Sequence, residues 1–372
     1  ATLIQTAWSE GKDLVNNLQG KLPWYYKETN QIRKVVSHAP EDVSPGLTLI
    51  SGVASNRRLF AAIVDTQGEL IHNWEIDWFE IWPDPLHLPD SSIPKEKPGT
   101  NIHGIMVMPN GDLVFSFEKL GLVRLDVCGE VVWKVPQQTH HSLYLDENNT
   151  FWVPGQEKRK NRVADLRNHK PPFEDFSILK ISQNGEILRE ISVFDLLIDN
   201  NLKGLLYLST LKNGVTTVTG DTLHLNDVET FPSSLSEGVF KHGDVMISLR
   251  NINAILVFNP EDMRIRFLSI GNVLRQHDPD FLDGNTISVF DNNNLFPDND
   301  GEYSKIVELS ALDGSVTEHF TGSEKLPFFA NIMGKHQLLS NGNILITEAP
   351  LGRAFEISPE GKLLWEYYNI VD

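Results

Sequence analysis

From Pro45 onward the apolar positions fall in short alternating runs, too short for helices and paired across tight turns, which predicts hairpins with one half-buried face. Two hairpin types recur. The first reads as two apolar strands around a small or acidic residue, two further residues, a glycine and a charged residue: "AAIVDTQGELIHNW" from Ala61, "LVRLDVCGEVVWKV" from Leu122, "ILKISQNGEILREI" from Ile178, "IVELSALDGSVTEHF" from Ile306 and "AFEISPEGKLLWEY" from Ala354. A degenerate sixth copy, "ILVFNPEDMRIRFL", starts at Ile255. The second type, such as "MVMPNGDLVFSF" and "LLSNGNILIT", carries the Asn-Gly or Asp-Gly turn of a tight hairpin. Alternating the two gives four strands per unit at a period of roughly 50 residues, which predicts blades set radially around a channel. The expected fold is all-β, a six-bladed β-propeller over residues 46–372. How the ring closes is not evident, because the first unit lacks an innermost hairpin.

Residues 1–45 form the remainder, a short N-terminal helical extension and linker. Leu3, Ile4, Ala7, Trp8, Leu14, Val15 and Leu18 recur with helical spacing before Gly20. Such a helix either packs on the propeller or lies close to a membrane. The sequence begins at Ala1, which leaves room for a removed export signal or anchor. Two insertions interrupt the blades, a basic one at 155–175 and a Leu-rich one at 193–222. The basic one reads as a solvated loop, or else as an anion-attracting rim.

The chain of 372 residues carries 32 Lys and Arg against 50 Asp and Glu, a formal charge of -18. That field repels polyanions, so nucleic acid is excluded as a partner. A small anionic substrate would need a local concentration of cations to overcome it. The single cysteine, Cys128, rules out an intramolecular disulfide and reads as a small apolar filler in a strand.

The histidines change the picture further. His103, His141, His277 and His336 each fall shortly before the turn of an innermost hairpin, and His224 opens the fourth blade. If innermost strands line the channel, five imidazoles converge there. A ring of imidazoles could hold a transition metal, but such sites usually add a carboxylate, and no metal or other cofactor is expected. The segment 291–302, "DNNNLFPDNDGE", does not have the spacing of a calcium-binding EF-hand loop.

The linked segments "DTLHLNDV", "ISLRNINAILVF", "QHDPDFLDGNTISVFDNN" and "YSKIVELS" resemble the core of the bacterial arylsulfotransferases, the PAPS-independent aryl-sulfate sulfotransferase family. The resemblance implies a periplasmic enzyme that moves a sulfuryl group from an aryl sulfate ester to a phenolic acceptor through a sulfated histidine. The position matching that histidine is His277, with His224 as acid and base on the phenolic oxygen and Arg250 on the sulfate oxygens. His141, or its neighbour His140, matches a further channel histidine. Asn226, His103 and His336 join His140 as expected substrate-binding positions. Lys305 stands where the family more usually has arginine, and the paired cysteines of some members are missing. The competing expectations are a non-catalytic propeller that holds a protein partner beside a membrane, and a hydrolytic propeller with calcium in its channel.

Overall fold

A computed structural model of the chain describes residues 31–164, 166–209, 218, 220–294 and 303–370. The expected N-terminal helix and most of the 291–302 segment lie outside them. Six antiparallel sheets form a ring of blades. The first holds β2 (Thr48–Val53), β3 (Leu59–Val64) and β4 (Leu70–Ile76). The second runs from β5 (Ile102–Val107) through β6 (Leu113–Phe117) and β7 (Gly121–Leu125) to β8 (Val131–Val135). The third holds β9 (Tyr144–Leu145), β10 (Phe151–Arg159), β11 (Phe173–Ile181) and β12 (Ile187–Ser192). The fourth holds β13 (Leu225–Thr230), β14 (Val245–Leu249), β15 (Ala254–Phe258) and β16 (Ile265–Ile270). The fifth holds β17 (His277–Phe281), β18 (Thr286–Asp291), β19 (Lys305–Ser310) and β20 (Val316–Thr321). The sixth holds β21 (Lys335–Leu338), β22 (Ile344–Glu348), β23 (Arg353–Ile357) and β24 (Leu363–Tyr368), with β1 (Val35–Ser37) added outside β24.

The outer hairpins fold as their sequences dictate. Asp65 Oδ1 accepts from the backbone of Gln67 and Glu69, both at 2.9 Å, and Asp126 does the same for Cys128 and Glu130. Each turn then needs a residue at positive φ, supplied by Gly68 and Gly129. In the degenerate copy Met263 occupies that conformation at φ 58, and Asn259 makes the same turn through its side chain. Cys128 therefore sits exposed in the turn between β7 and β8, not in a strand as expected, because the turn signal around it outweighs its apolar character.

Six apolar clusters fill the spaces between neighbouring blades, one per junction. The largest joins the third and fourth blades and takes in α2 (Val193–Asp199), which belongs to the Leu-rich insertion. α1 (Trp78–Ile81) seats Trp78 and Ile81 in the junction of the first two blades. The basic insertion is part of an extended hairpin, since β10 and β11 pair from Phe151↔Ile181 to Arg159↔Phe173. Lys158, Lys160, Arg162, Arg167 and Lys170 are exposed on it, while Arg159 pairs with Asp175 and Asp195.

The smallest cluster, Val64, Ala354, Trp365 and Tyr367, marks the junction where the ring closes. There the chain adds polar clasps. β1 pairs Val35↔Tyr367 and Ser37↔Trp365, Ser44 N donates to Glu356 Oε1 at 2.7 Å, and Trp365 Nε1 donates to Thr66 O at 2.8 Å. The propeller thus recruits a strand upstream of the boundary expected at residue 46. Arg353 anchors the same blade, donating to Glu366 Oε1 through Nε at 2.9 Å and to Glu348 Oε2 through Nη1 at 2.7 Å. Both carboxylates are buried, so Arg353→Ala is expected to cost about 3–5 kcal/mol of unfolding free energy by stranding them. Urea denaturation measures this, and an unchanged midpoint would contradict the anchoring role.

Candidate active site

The innermost strands of the second, fourth and fifth blades share a local distortion near their first residues. Register shifts fall between Ile102 and Ile105 in β5, between Leu225 and Asp227 in β13, and between His277 and Asp280 in β17. Such bulges re-aim side chains. Here they turn His103, Asn226 and the segment after His277 away from a regular ladder. His141 and His224 both hold φ 56, a left-handed conformation that costs a non-glycine residue energy and must be held by its surroundings. Gly104 makes part of that restraint: a Cβ built on it would lie 2.1 Å from the carbonyl oxygen of His141. Gly104→Ala is accordingly expected to displace the 140–142 backbone and to lower transfer activity more than tenfold. Activity assays beside a far-ultraviolet spectrum check this, and full activity would show the contact to be dispensable.

Five imidazoles meet at this end of the channel. His140 Nδ1 lies 2.8 Å from His141 Nδ1, and His141 Nε2 lies 3.1 Å from His224 Nε2. The ring of His103 packs on that of His141 with centroids 4.1 Å apart, and that of His277 lies near-parallel to His141 with centroids 6.3 Å apart. Two carboxylates terminate the array. Asp221 bonds to His224 Nδ1, and Glu118 bonds to His103 Nδ1. With one proton on each neutral ring, the bonds can be satisfied in one direction. His140 Nδ1–H donates to His141 Nδ1, His141 Nε2–H donates to His224 Nε2, and His224 Nδ1–H donates to Asp221. That chain can carry a proton to or from His224 Nε2.

Burial is the first reason these rings stay neutral. It lowers the pKa of His140 to about 3, and it lowers those of His141, His224 and His277 well below the usual value. Arg250 adds to the effect on His224 and His277. Its backbone N–H donates to His224 O at 3.0 Å, which seats Arg250 at the end of β14 beside the histidine. Its side chain is 8% exposed, its Nε has no hydrogen-bond partner, and among the described residues no carboxylate lies within ion-pair distance. Burial and the neighbouring Arg275 bring its pKa down to about 10. A buried guanidinium with no carboxylate in ion-pair contact, compensated only at a distance by Asp221 and Glu118, has the character to receive an anion. Together with Arg275 it supplies the cationic patch that a chain of charge -18 needs to draw one in.

His277 is held differently from the others. Its Nδ1 lies 2.6 Å from Asn292 Oδ1, and the Asn292 amide nitrogen donates to Ala330 O at 2.8 Å and Met333 O at 2.6 Å. Those two carbonyls fix the amide orientation. Asn292 therefore presents its oxygen to the ring, Nδ1 carries the proton, and the lone pair is on Nε2. Nε2 is buried and has no partner.

Of the expected positions, His103, His140, His141, His224, Arg250 and His277 come together. Asn226 lies beneath them, its amide donating to Gln276 O at 2.7 Å and its Oδ1 buried without a partner. His336 does not join the group, so the expected convergence is corrected. No register shift interrupts the β21–β22 ladder, and His336, paired with Ile346, sits among Asp278, Asp280 and Ser288 instead. Lys305 pairs with Glu318 and takes no part in the site. Asn292, Asp221, Glu118 and Arg275 are neighbours of the group that the histidine pattern did not single out.

A family model for arylsulfotransferase (ASST) matches residues 104–370. No curated protein matches the chain. Among solved structures, a protein of unknown function from Bacteroides caccae is 13% identical with a TM-score of 0.50, covering 87% of this chain and 94% of that one. A streptogramin B lyase is 12% identical with a TM-score of 0.43, covering 91% of this chain and 88% of the other. Virginiamycin B lyase from Staphylococcus aureus is 11% identical with a TM-score of 0.42, covering 91% and 89%. Likeness at such identities concerns the fold alone. The family match spans most of the propeller and includes His140, His141, His224, Arg250, His277 and Asn292, and on that match this chain belongs to the arylsulfotransferase family.

Proposed function

We propose that the chain transfers a sulfuryl group from an aryl sulfate ester to a phenol by way of a sulfated His277. The observation that carries this reading is the buried, partnerless Nε2 of His277 in one chamber with the poorly compensated Arg250. In the first half-reaction the Nε2 lone pair attacks sulfur, the N–S bond forms as the S–O bond to the phenol breaks, and His224, charged beforehand at Nε2 by a proton drawn from solvent along the histidine chain, gives that proton to the departing oxygen and returns to its neutral form. In the second, His224 takes the proton of the acceptor phenol, whose oxygen attacks sulfur, and the N–S bond breaks to restore neutral His277. Arg250 binds the sulfate oxygens, and the His140–His141–His224 chain replenishes or drains the proton. Asn226, bonded to the backbone next to His277, and His103, packed on His141, are placed to contact the same substrate. The enclosure that keeps Nε2 from solvent also protects the N-sulfo intermediate from water. By the same reading the enzyme works in the periplasm and needs no nucleotide donor.

The test is a reaction with 4-nitrophenyl sulfate and no acceptor. A stoichiometric burst of 4-nitrophenol and an acid-labile sulfuryl adduct on the peptide containing His277 are expected. No burst, or an adduct on another residue, would overturn the assignment.

The tautomer held by Asn292 gives a second expectation. Asn292→Ala is expected to lower kcat roughly 10- to 100-fold by freeing the ring. Asn292→Asp places a carboxylate on Nδ1–H and raises the pKa of His277, because a nearby negative charge favours the imidazolium. Nε2 is a nucleophile only when unprotonated, so the acid limb of the pH–rate profile moves to higher pH in this variant. A pH–rate profile identical to that of the parent enzyme would refute the tautomer lock.

A further inference from the structure

Below the histidines, the innermost strands of the fourth, fifth and sixth blades bring a second polar cluster to the channel. Asp227 and Glu229 of β13 face Asp278 and Asp280 of β17, and Lys335 and His336 of β21 complete it. Four carboxylates here meet one ammonium, which pairs with Asp278. None of these groups is used by the transfer chemistry.

Three of them converge as ligands do. One donor atom each from Asp278, Asp280 and His336 lie within 4.8 Å of one another. His336 is 3% exposed, and its Nδ1, 3.2 Å from Asp278 Oδ2, makes no hydrogen bond. Its Nε2 is fixed by Ser288 Oγ at 2.6 Å and lies 3.7 Å from Asp280 Oδ2. Glu229 adds a further carboxylate oxygen, Oε2, that is buried with no partner. An ordered, buried imidazole with an unmatched nitrogen beside carboxylates in excess is a donor set short of a cation.

We infer that Asp278, Asp280 and His336 form a divalent-cation site in the channel, separate from the transfer chemistry, with Glu229 as a neighbouring oxygen donor. Two carboxylates with one imidazole suit Mn2+ or Zn2+ better than Ca2+, which takes oxygen ligands throughout. A bound cation would offset the excess of four carboxylates over the one ammonium of Lys335.

The full chain, stripped with a chelator, is titrated with MnCl2 near neutral pH while free Mn2+ is followed by electron paramagnetic resonance. Saturable binding at one site per chain is expected, with a rise in melting temperature that needs no variant to interpret. His336→Ala and the isosteric Asp280→Asn are expected to weaken binding at least about tenfold, and His103→Ala to leave it unchanged. The last variant matters because His103, Glu118 and His141 also approach as a ligand-like group. No saturable Mn2+ or Zn2+ binding at millimolar concentration would overturn the inference. So would binding lost in His103→Ala and kept in His336→Ala.

Discussion

Replacing His277 by alanine is expected to lower sulfuryl transfer from 4-nitrophenyl sulfate to phenol by roughly 10⁴-fold or more, the scale on which loss of a covalent nucleophile is felt. The size follows from the geometry around the ring. Each of the other four imidazoles has a nitrogen bonded to another imidazole or a carboxylate, whereas His277 has Nδ1 tied to an amide oxygen; its Nε2, like that of His140, has no partner, but of these two the His277 ring is the one that feels the Arg250 charge beside it. A general acid can be replaced in part by water, but a lone pair that forms the bond to sulfur cannot. The comparison with His224→Ala separates the two roles. That variant is expected to lose more with a donor whose leaving group is a poor one, because protonation then limits the step, and to lose little with 4-nitrophenyl sulfate. Equal turnover by His277→Ala and the parent chain would remove the nucleophile and with it the proposed route.

The ring of blades was legible because its code is local and repeated. A side chain that accepts two backbone N–H groups, followed by a residue at positive φ, builds five of the six outer turns, and even the degenerate copy obeys it through Asn259 and Met263. Closure was not legible, since Val35–Ser37 is a three-residue strand with no partner nearby in sequence and pairs across the whole chain with β24. The same division runs through the site. His103, His224 and His277 were readable from their place at the heads of innermost strands. His336 obeyed the same rule and still missed, because the rule locates a strand and not the bulge that aims its first side chain. Asn292 was hidden for the opposite reason. Its part depends on Ala330 and Met333, carbonyls far along the chain that choose which end of the amide faces the ring. Cys128 shows the limit of composition, as its apolar character yielded to the turn around it.

Arg250→Ala is expected to lower kcat/KM roughly 10²- to 10³-fold, the usual cost of losing a donor aimed at charge that grows in the transition state. Unlike a structural arginine, its removal is expected to leave the unfolding free energy unchanged or raised. Arg353 shows the contrast within the same chain: it is tied to Glu348 and Glu366, and its loss strands both. Arg250 has no such partner, its Nε is unbonded, and Arg275 sits close enough to depress its pKa, so its charge works against the fold at neutral pH. On the proposed reading, folding tolerates it for the sake of an anion that arrives later. Arg250→Lys keeps the charge without the planar fork and is expected to recover only part of the activity. Urea denaturation with and without inorganic sulfate reads both halves of the argument. Sulfate is expected to stabilise the parent chain by binding the native state, and to do so far less for Arg250→Ala. A variant destabilised by about 2 kcal/mol or more, with sulfate protecting it as well as the parent, would make Arg250 a structural residue and move the sulfate site elsewhere in the channel.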